Sequence, residues 1–191
     1  MVEPARGRSG PGARGHHLGV SAPDADGEVR TPADTVSVLT QRMGVQEANI
    51  SGNVHGGWLM KLCDDVAAVA ATRHAGGRVV TATVDGMKFV CPVHVGDVVT
   101  LRATVNAAWR TSMEVGVRVE AEDVRTGKAG HVCSAFLTMV ALGDDGRPAA
   151  IPGLVPQSEL ERQRHREALV RREARLALSG ELKRTAAAAA L

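Results

Sequence analysis

Tyrosine is absent from the 191 residues, and phenylalanine and tryptophan supply only two each. A groove that stacks bases needs aromatic platforms among its basic residues. Here the basic residues are scattered and the net charge is only +2, so no nucleic-acid partner is expected. Cysteine is also scarce. Cys63, Cys91 and Cys133 are odd in number, far apart and set in apolar runs, as suits reduced core thiols in the cytoplasm. Metal-ligand spacing is missing, and neither a metal nor a cofactor is expected. No apolar run is long enough to span a bilayer, and residues 1–33 lack the apolar stretch of a secretory signal. The expectation is a soluble cytoplasmic protein with no membrane partner. Arginine greatly outnumbers lysine, which GC-rich coding can produce by itself, so composition assigns no arginine a role.

What is present reads in order along the chain. Residues 1–33, rich in Gly, Pro, Arg and Asp, have no periodicity and little to bury, and are expected to be a disordered arm. "TVSVLTQRM", 35–43, alternates Val36 and Val38 with polar neighbours and predicts a first strand. After the loop "GVQEANISGNVHG", Leu59, Leu62, Val66, Val69 and Arg73 recur at three- and four-residue steps and predict a helix from Gly57 to about His74. Gly76-Gly77 stops it. The period then changes to two. "RVVTATVDGMKFV", "DVVTLRATVNAAW", "SMEVGVRVEAEDV" and "GHVCSAFLTMVAL" predict four strands with hairpin-like connections at Pro92–Gly96, Trp109–Thr111 and Arg125–Gly127. In the third, Met113, Val115, Val117 and Val119 alternate with Glu114, Gly116, Arg118 and Glu120, so one face is buried and the other at least partly wet. One strand, one long helix and four strands make an α+β plan, an antiparallel sheet around a single central helix, over residues 34–152. Residues 153–191 are a C-terminal extension: Gln157–Leu178 has helical composition with a thin apolar stripe, and "TAAAAAL" is expected to fray.

Within "GNVHGGWLMKLCDD", 52–65, two adjacent acids close the first half of the helix. Wound at about 100° per residue, Leu59, Leu62, Cys63, Val66, Val69 and Ala70 share one broad face. Asp65 lies off that face four residues after Lys61, an ordinary surface ion pair. Asp64 instead neighbours Met60, Ala67, Ala68 and Ala71, with no basic side chain at i±4. A carboxylate there is costly unless something hydrogen-bonds or neutralises it, which suits it to general-base or nucleophilic work, unless the alanine strip faces solvent. Upstream, "GNVHGG" brings unpaired N–H groups to the positive end of the helix, where a developing oxyanion can bind. Asn49 and Asn53 read first as turn formers. His55 can be a base or a cap.

"EANISGNVHGGWLMKLCDD", "GRVVTATVDGMKFVCPVHVGDVV" and "WRTSMEV" together resemble the hotdog-fold acyl-CoA thioesterases, the short-chain bacterial and cytosolic acyl-CoA hydrolases. The ordered pair N-x-x-G-x-x-x-G-G-x-x-[ML]-x-x-x-[DE] and P-x-x-x-G-[DE] carries the resemblance. It implies a helix wrapped by an antiparallel sheet and acyl-CoA as substrate, with no separate cofactor. It also implies a homo-oligomer built on a dimer, commonly as a trimer of dimers. By the same resemblance Asp64 is the catalytic acid, Asn49 the motif asparagine, and the Gly56-Gly57 pair lies where a backbone N–H, that of Gly57, meets the thioester oxygen. His55 matches one branch of the family. Arg110, Thr111 and Ser112 resemble a turn near the coenzyme's pantetheine and phosphates. Hotdog subunits also serve as dehydratases and as acyl-CoA sensors, the two alternative readings of the same resemblance.

Overall fold

A computed structural model of the chain describes residues 28–189; the arm expected over 1–33 therefore lies outside the described residues up to 27. Residues 28–33 are structured. β1 (Val29–Arg30) pairs in parallel with β7 (Gly153–Leu154), which ties the two ends of the domain together. A single turn, α1 (Pro32–Thr35), leads into β2 (Ser37–Arg42). A 3₁₀ turn, Val45–Glu47, precedes α2 (Gly56–Ala75), and β3 (Arg78–Phe89), β4 (Val98–Ala108), β5 (Ser112–Asp123) and β6 (Lys128–Leu142) follow. After β7 comes α3 (Glu159–Ala189).

The helix α2 begins and ends as its sequence expects. His55 caps the start, its Nδ1 accepting the Gly57 N–H at 2.9 Å. At the other end Gly76 takes a left-handed conformation (φ 70°) open to glycine and returns its N–H to Thr72 O. Between them Leu59, Leu62, Cys63, Val66, Ala67, Ala70 and Ala71 are buried against a five-stranded antiparallel sheet, and α2 touches all five strands. Met113, Val115, Val117 and Val119 of β5 supply the facing layer, as their alternation predicted. Val69 does not join this core; it is 47% exposed. The buried arc is instead centred on alanines, because a small side chain lets the sheet approach the helix closely. Val36 and Val38 likewise point outward, and Ser37 faces in.

The strand order is β2-β4-β5-β6-β3. Two of the expected hairpins form, β4–β5 and β5–β6, but the segment containing Pro92–Gly96 is not one. It carries the chain from the β3 edge back to β4. Alternation identifies strands and their faces, not which strands are neighbours. β3 is thus an edge strand, and two bulges, at Thr81/Thr83 and Val84/Gly86, interrupt its pairing with β6. A third bulge, Val105/Ala107 in β4, leaves the Val105 N–H to donate to Thr35 Oγ1 at 3.0 Å.

The C-terminal segment is longer than expected and is docked on the sheet. Gly180 does not end α3, which continues to Ala189, so the tail expected to fray is helical up to that residue. α3 lies across the outer face of the sheet and covers Glu114, which is 0% exposed. Arg171 grips that carboxylate with two bonds, Nε to Oε2 at 3.0 Å and Nη2 to Oε1 at 2.7 Å, and its guanidinium stacks on Phe136 at 3.7 Å. Asn106 Nδ2 donates to the same carboxylate at 3.0 Å. One turn further along α3, Arg175 pairs with Asp85. The face of β5 that its polar residues marked as wet is, at Glu114, a buried ionic contact.

Candidate active site

Asp64 lies at the edge of the buried arc of α2. The alanine strip does not face solvent: Ala67 and Ala71 are fully buried and Ala68 partly so. The carboxylate is exposed in the single chain and stands at the mouth of an apolar pocket of about 240 Å³. Met60, Val84, Met87, Ala135 and Leu137 line that pocket. Thr81 Oγ1 donates to Asp64 Oδ1 at 2.5 Å. Sequence reasoning missed Thr81, since nothing in a run of alternating threonines and valines marks one hydroxyl. The bulge decides it. Thr81 and Thr83 would share a face in a regular strand, but the inserted Ala82 sends Thr81 toward α2 and Thr83 toward Asp85 on the other side.

Asp65 does what its spacing predicted. Lys61 Nζ meets Asp65 Oδ2 at 2.5 Å, with both side chains about half exposed. Cys63, beside Asp64, is no nucleophile. A hydrogen bond with the Cys133 thiol, and then burial, push its own thiol far up from its ordinary value.

Gly56, the first of the glycine pair, and Asn49 line a second pocket, of about 390 Å³, with Phe89 and Pro92. Asn49 acts as a turn former here: its Oδ1 accepts the N–H groups of Ser51 (2.9 Å) and Asn53 (3.3 Å). The Gly57 N–H, expected to face the thioester oxygen, is already engaged by His55 Nδ1, so it reaches a substrate only if the imidazole turns away. His55 is thus a cap with a donor beneath it. The Gly56 N–H has no internal acceptor among the described residues.

A single chain does not bring these groups together. Gly57 and Asp64 are seven residues apart, about 10 Å along the helix axis at ~1.5 Å per residue. Arg110, Thr111 and Ser112 form the β4–β5 turn at the other end of the sheet. Phe89, against Gly56, pairs with Cys133, whereas Ser112 pairs with Val140, about 23 Å further along β6 at ~3.3 Å per residue. In that turn the backbone is at work: Arg110 O accepts the Ile151 N–H and Thr111 O the Ala141 N–H. Among the described residues no group of three His, Cys, Asp or Glu side chains could hold a metal ion, and no helix is long and apolar enough to cross a membrane.

An antiparallel sheet of five strands that all pack on one long helix, with an acid on that helix at an apolar pocket, defines a hotdog fold of the thioesterase type. The chain belongs to the Thioesterase superfamily, whose pattern matches residues 51–128. It is similar to protein VdlD of Helicobacter pylori, 41% identical over 75% of this chain and 82% of that one. The cytosolic acyl coenzyme A thioester hydrolase of Rattus norvegicus is 37% identical over 73% of this chain and 37% of the relative. Among solved structures, an acyl-CoA hydrolase from Staphylococcus aureus in complex with butyryl coenzyme A, coenzyme A and coenzyme A disulfide superimposes with a TM-score of 0.78. It is 33% identical, and the match covers 85% of this chain and 99% of that one. Variants of that hydrolase with an aspartate, an asparagine or a threonine replaced by alanine have also been solved. A hexameric acyl-CoA thioesterase matches with a TM-score of 0.77 at 33% identity, over 80% and 97% of the two chains.

Proposed function

We propose that this chain is an acyl-CoA thioesterase that hydrolyses the thioester to a free acid and coenzyme A, at a site shared by two subunits. The observation that carries the reading is the Asp64 carboxylate, held by the Thr81 hydroxyl at the mouth of an apolar pocket. In the S. aureus hydrolase the replaced asparagine and aspartate are 15 positions apart, and the aspartate and threonine 17. Asn49, Asp64 and Thr81 are the same residue types at the same intervals, which supports giving this trio the central part.

Thr81 orients the carboxylate, and Asp64 either takes a proton from the attacking water or attacks the carbonyl carbon itself to give a mixed anhydride. In both routes the carbon–sulfur bond breaks and the coenzyme leaves as its thiol, with no cofactor beyond the coenzyme of the substrate. The carbonyl oxygen is met by the helix start, Gly56 N–H directly or Gly57 N–H once His55 releases it. Asn49 orients water or substrate there. The separation along α2 is too long for one subunit to supply both ends to one carbonyl, so the acid of one subunit meets the helix start of another. The β3 edge supports this assembly. It is unpaired in the single chain and exposes Val80, Val84 and Phe89, with Val90 beyond it, the kind of edge that needs a cover. A homo-oligomer accords with the hexameric relatives, and the arrangement proposed for it is a dimer as the unit with a trimer of dimers above it. A cytoplasmic location accords with the rat relative named as cytosolic.

The test is thiol release across short, medium, long and aromatic acyl-CoAs. Asp64→Asn should lower kcat by about 10²–10⁴-fold, the worth of a positioned base, with the fold intact. Asp65→Asn, which touches only the Lys61 pair, should stay active. Wild-type kcat in Asp64→Asn would overturn the assignment.

A further inference from the structure

Past Arg175, α3 runs on beyond the sheet that holds it. His165 bonds Asn106 O of β4, Arg171 grips Glu114 of β5 and stacks on Phe136 of β6, and Arg175 pairs with Asp85 of β3. From His165 to Arg175 the helix rises about 15 Å at ~1.5 Å per residue, and the strand steps from β4 to β3 span about 14 Å at ~4.8 Å each. α3 therefore crosses the strands nearly at right angles and reaches the β3 edge at Arg175. Leu176 to Ala189 carry it about 21 Å further at the same rise, with no strand of this subunit beneath it among the described residues.

The overhang repeats the docking stripe of the seated half. Over the sheet, Arg164, His165, Ala168, Arg171, Arg172 and Arg175 are buried or half-buried and recur at three- and four-residue steps. Continuing those steps gives Leu178, Leu182 and Ala186, whereas Glu181, Lys183 and Arg184 point away from that side. Leu178 and Leu182 are nevertheless each 61% exposed, and every residue from Leu176 to Ala187 except Gly180 is exposed. One face of the helix is covered over the sheet and bare past its edge, so what it lacks is more sheet. The open β3 edge is where more sheet can be added. A second copy paired there through its own β3 continues the sheet under the overhang, and two-fold symmetry makes the exchange mutual, each α3 crossing onto the other subunit. An apolar landing is present on that side. Val80, opposite Val140 and alternating with the inward pair Thr81 and Met139, is 36% exposed on the outer face of the edge strand.

We propose that the overhanging half of α3 is a clamp between subunits, with Leu178 and Leu182 docked on the outer sheet face of the copy that pairs at the β3 edge. The clamp rests on the edge pairing proposed above and adds a second contact to it, on the side of the sheet away from Asp64. The experiment places the photo-cross-linker p-benzoylphenylalanine at position 182 of the full chain, in oligomers assembled from light and isotope-labelled chains. Position 182 lies about 10 Å past Arg175 at ~1.5 Å per residue, about two strand steps, so light-to-heavy links should map to β3 or β6 of the other subunit. Sedimentation at falling concentration gives the second readout. Leu178→Asp with Leu182→Asp should raise the dimer dissociation constant about tenfold or more, as loss of two buried leucines requires. Leu176→Asp with Ala177→Asp, which adds the same charge on the other side of the helix, should leave it unchanged, and circular dichroism shows that both variants are folded. Links from position 182 that stay within one subunit or reach any other segment of a second one, or an unchanged dissociation constant in the Leu178/Leu182 variant, overturn the proposal. The same cross-linker at position 88, on β3 itself, reads the edge pairing separately. Light-to-heavy links from 88 with none from 182 sink the clamp alone, and none from either position sinks the edge pairing with it.

Discussion

Arg171→Ala tests how α3 is held. Glu114 is fully buried, and Arg171 supplies two of its three hydrogen bonds, leaving only Asn106 when the guanidinium goes. A buried carboxylate stripped of its cation costs about 3–5 kcal/mol, far above the 0–1 kcal/mol of an exposed pair. The molecule has one way to avoid that cost, which is to lift α3 and let water reach Glu114. What would still resist lifting is small. Ala168 is the one fully buried apolar residue of the described helix, worth about 1 kcal/mol, while Leu169, Val170, Leu176, Leu178 and Leu182 are exposed. The Arg175–Asp85 pair adds about 1.5–3 kcal/mol and the bond from His165 Nδ1 to Asn106 O, 3.1 Å, about 1 kcal/mol. The two routes are therefore close in energy, and the expected result is a loss of about 3 kcal/mol together with faster amide exchange along α3. Urea unfolding at fixed protomer concentration, with hydrogen exchange on the same samples, reads both. Arg171→Met with Glu114→Leu, which removes both charges, should recover most of the loss. A cost below about 1 kcal/mol with α3 amides as protected as in wild type would refute the reasoning, because the pair would then behave as an exposed one.

Thr81→Val keeps the shape of the strand and removes the donor to Asp64, so kcat should fall about 10–100-fold with circular dichroism unchanged; an unaltered kcat would mean that the 2.5 Å bond orients nothing. Gly116→Ala drives a methyl into Asn106 Nδ2 at 2.5 Å and should cost about 1–3 kcal/mol by urea unfolding, whereas a neutral result would show that Asn106 moves freely from Glu114. His74 is buried, with Nε2 bonded to Pro152 O at 2.9 Å, and burial is the main cause that lowers its pKa. The unfolded chain therefore takes up a proton near pH 6.5 while the folded chain resists it, so stability is complete above that pH and is lost as pH falls below it. The urea midpoint should drop between pH 7.5 and 5.5, and His74→Gln should flatten that slope; a slope unchanged by the substitution would exclude His74 as its source.

By itself the sequence determined everything that depends on near neighbours in the chain. The central helix, its stop at Gly76, the four later strands and the Lys61–Asp65 pair all follow from periods of 3.6 and 2, from a glycine free to turn left-handed, and from i,i+4 spacing. Asp64 stood out on the same grounds, as an acid placed against alanines. Tertiary structure decided whatever depends on what comes to lie against a face. Alternation along β5 marked Glu114 as outward but could not foresee α3 closing over it, since a thin apolar stripe does not reveal that arginines will do the docking. Thr81 reached Asp64 only because a bulge reversed the parity of β3, and Arg102 came beside Arg118 only through the register of two strands. Val69 fell outside the core, although its spacing was correct, because the sheet settled over the alanines instead. Local periodicity reports which way a side chain points. Chain crossings, bulges and register, which depend on contacts between residues far apart in sequence, decide what it meets there.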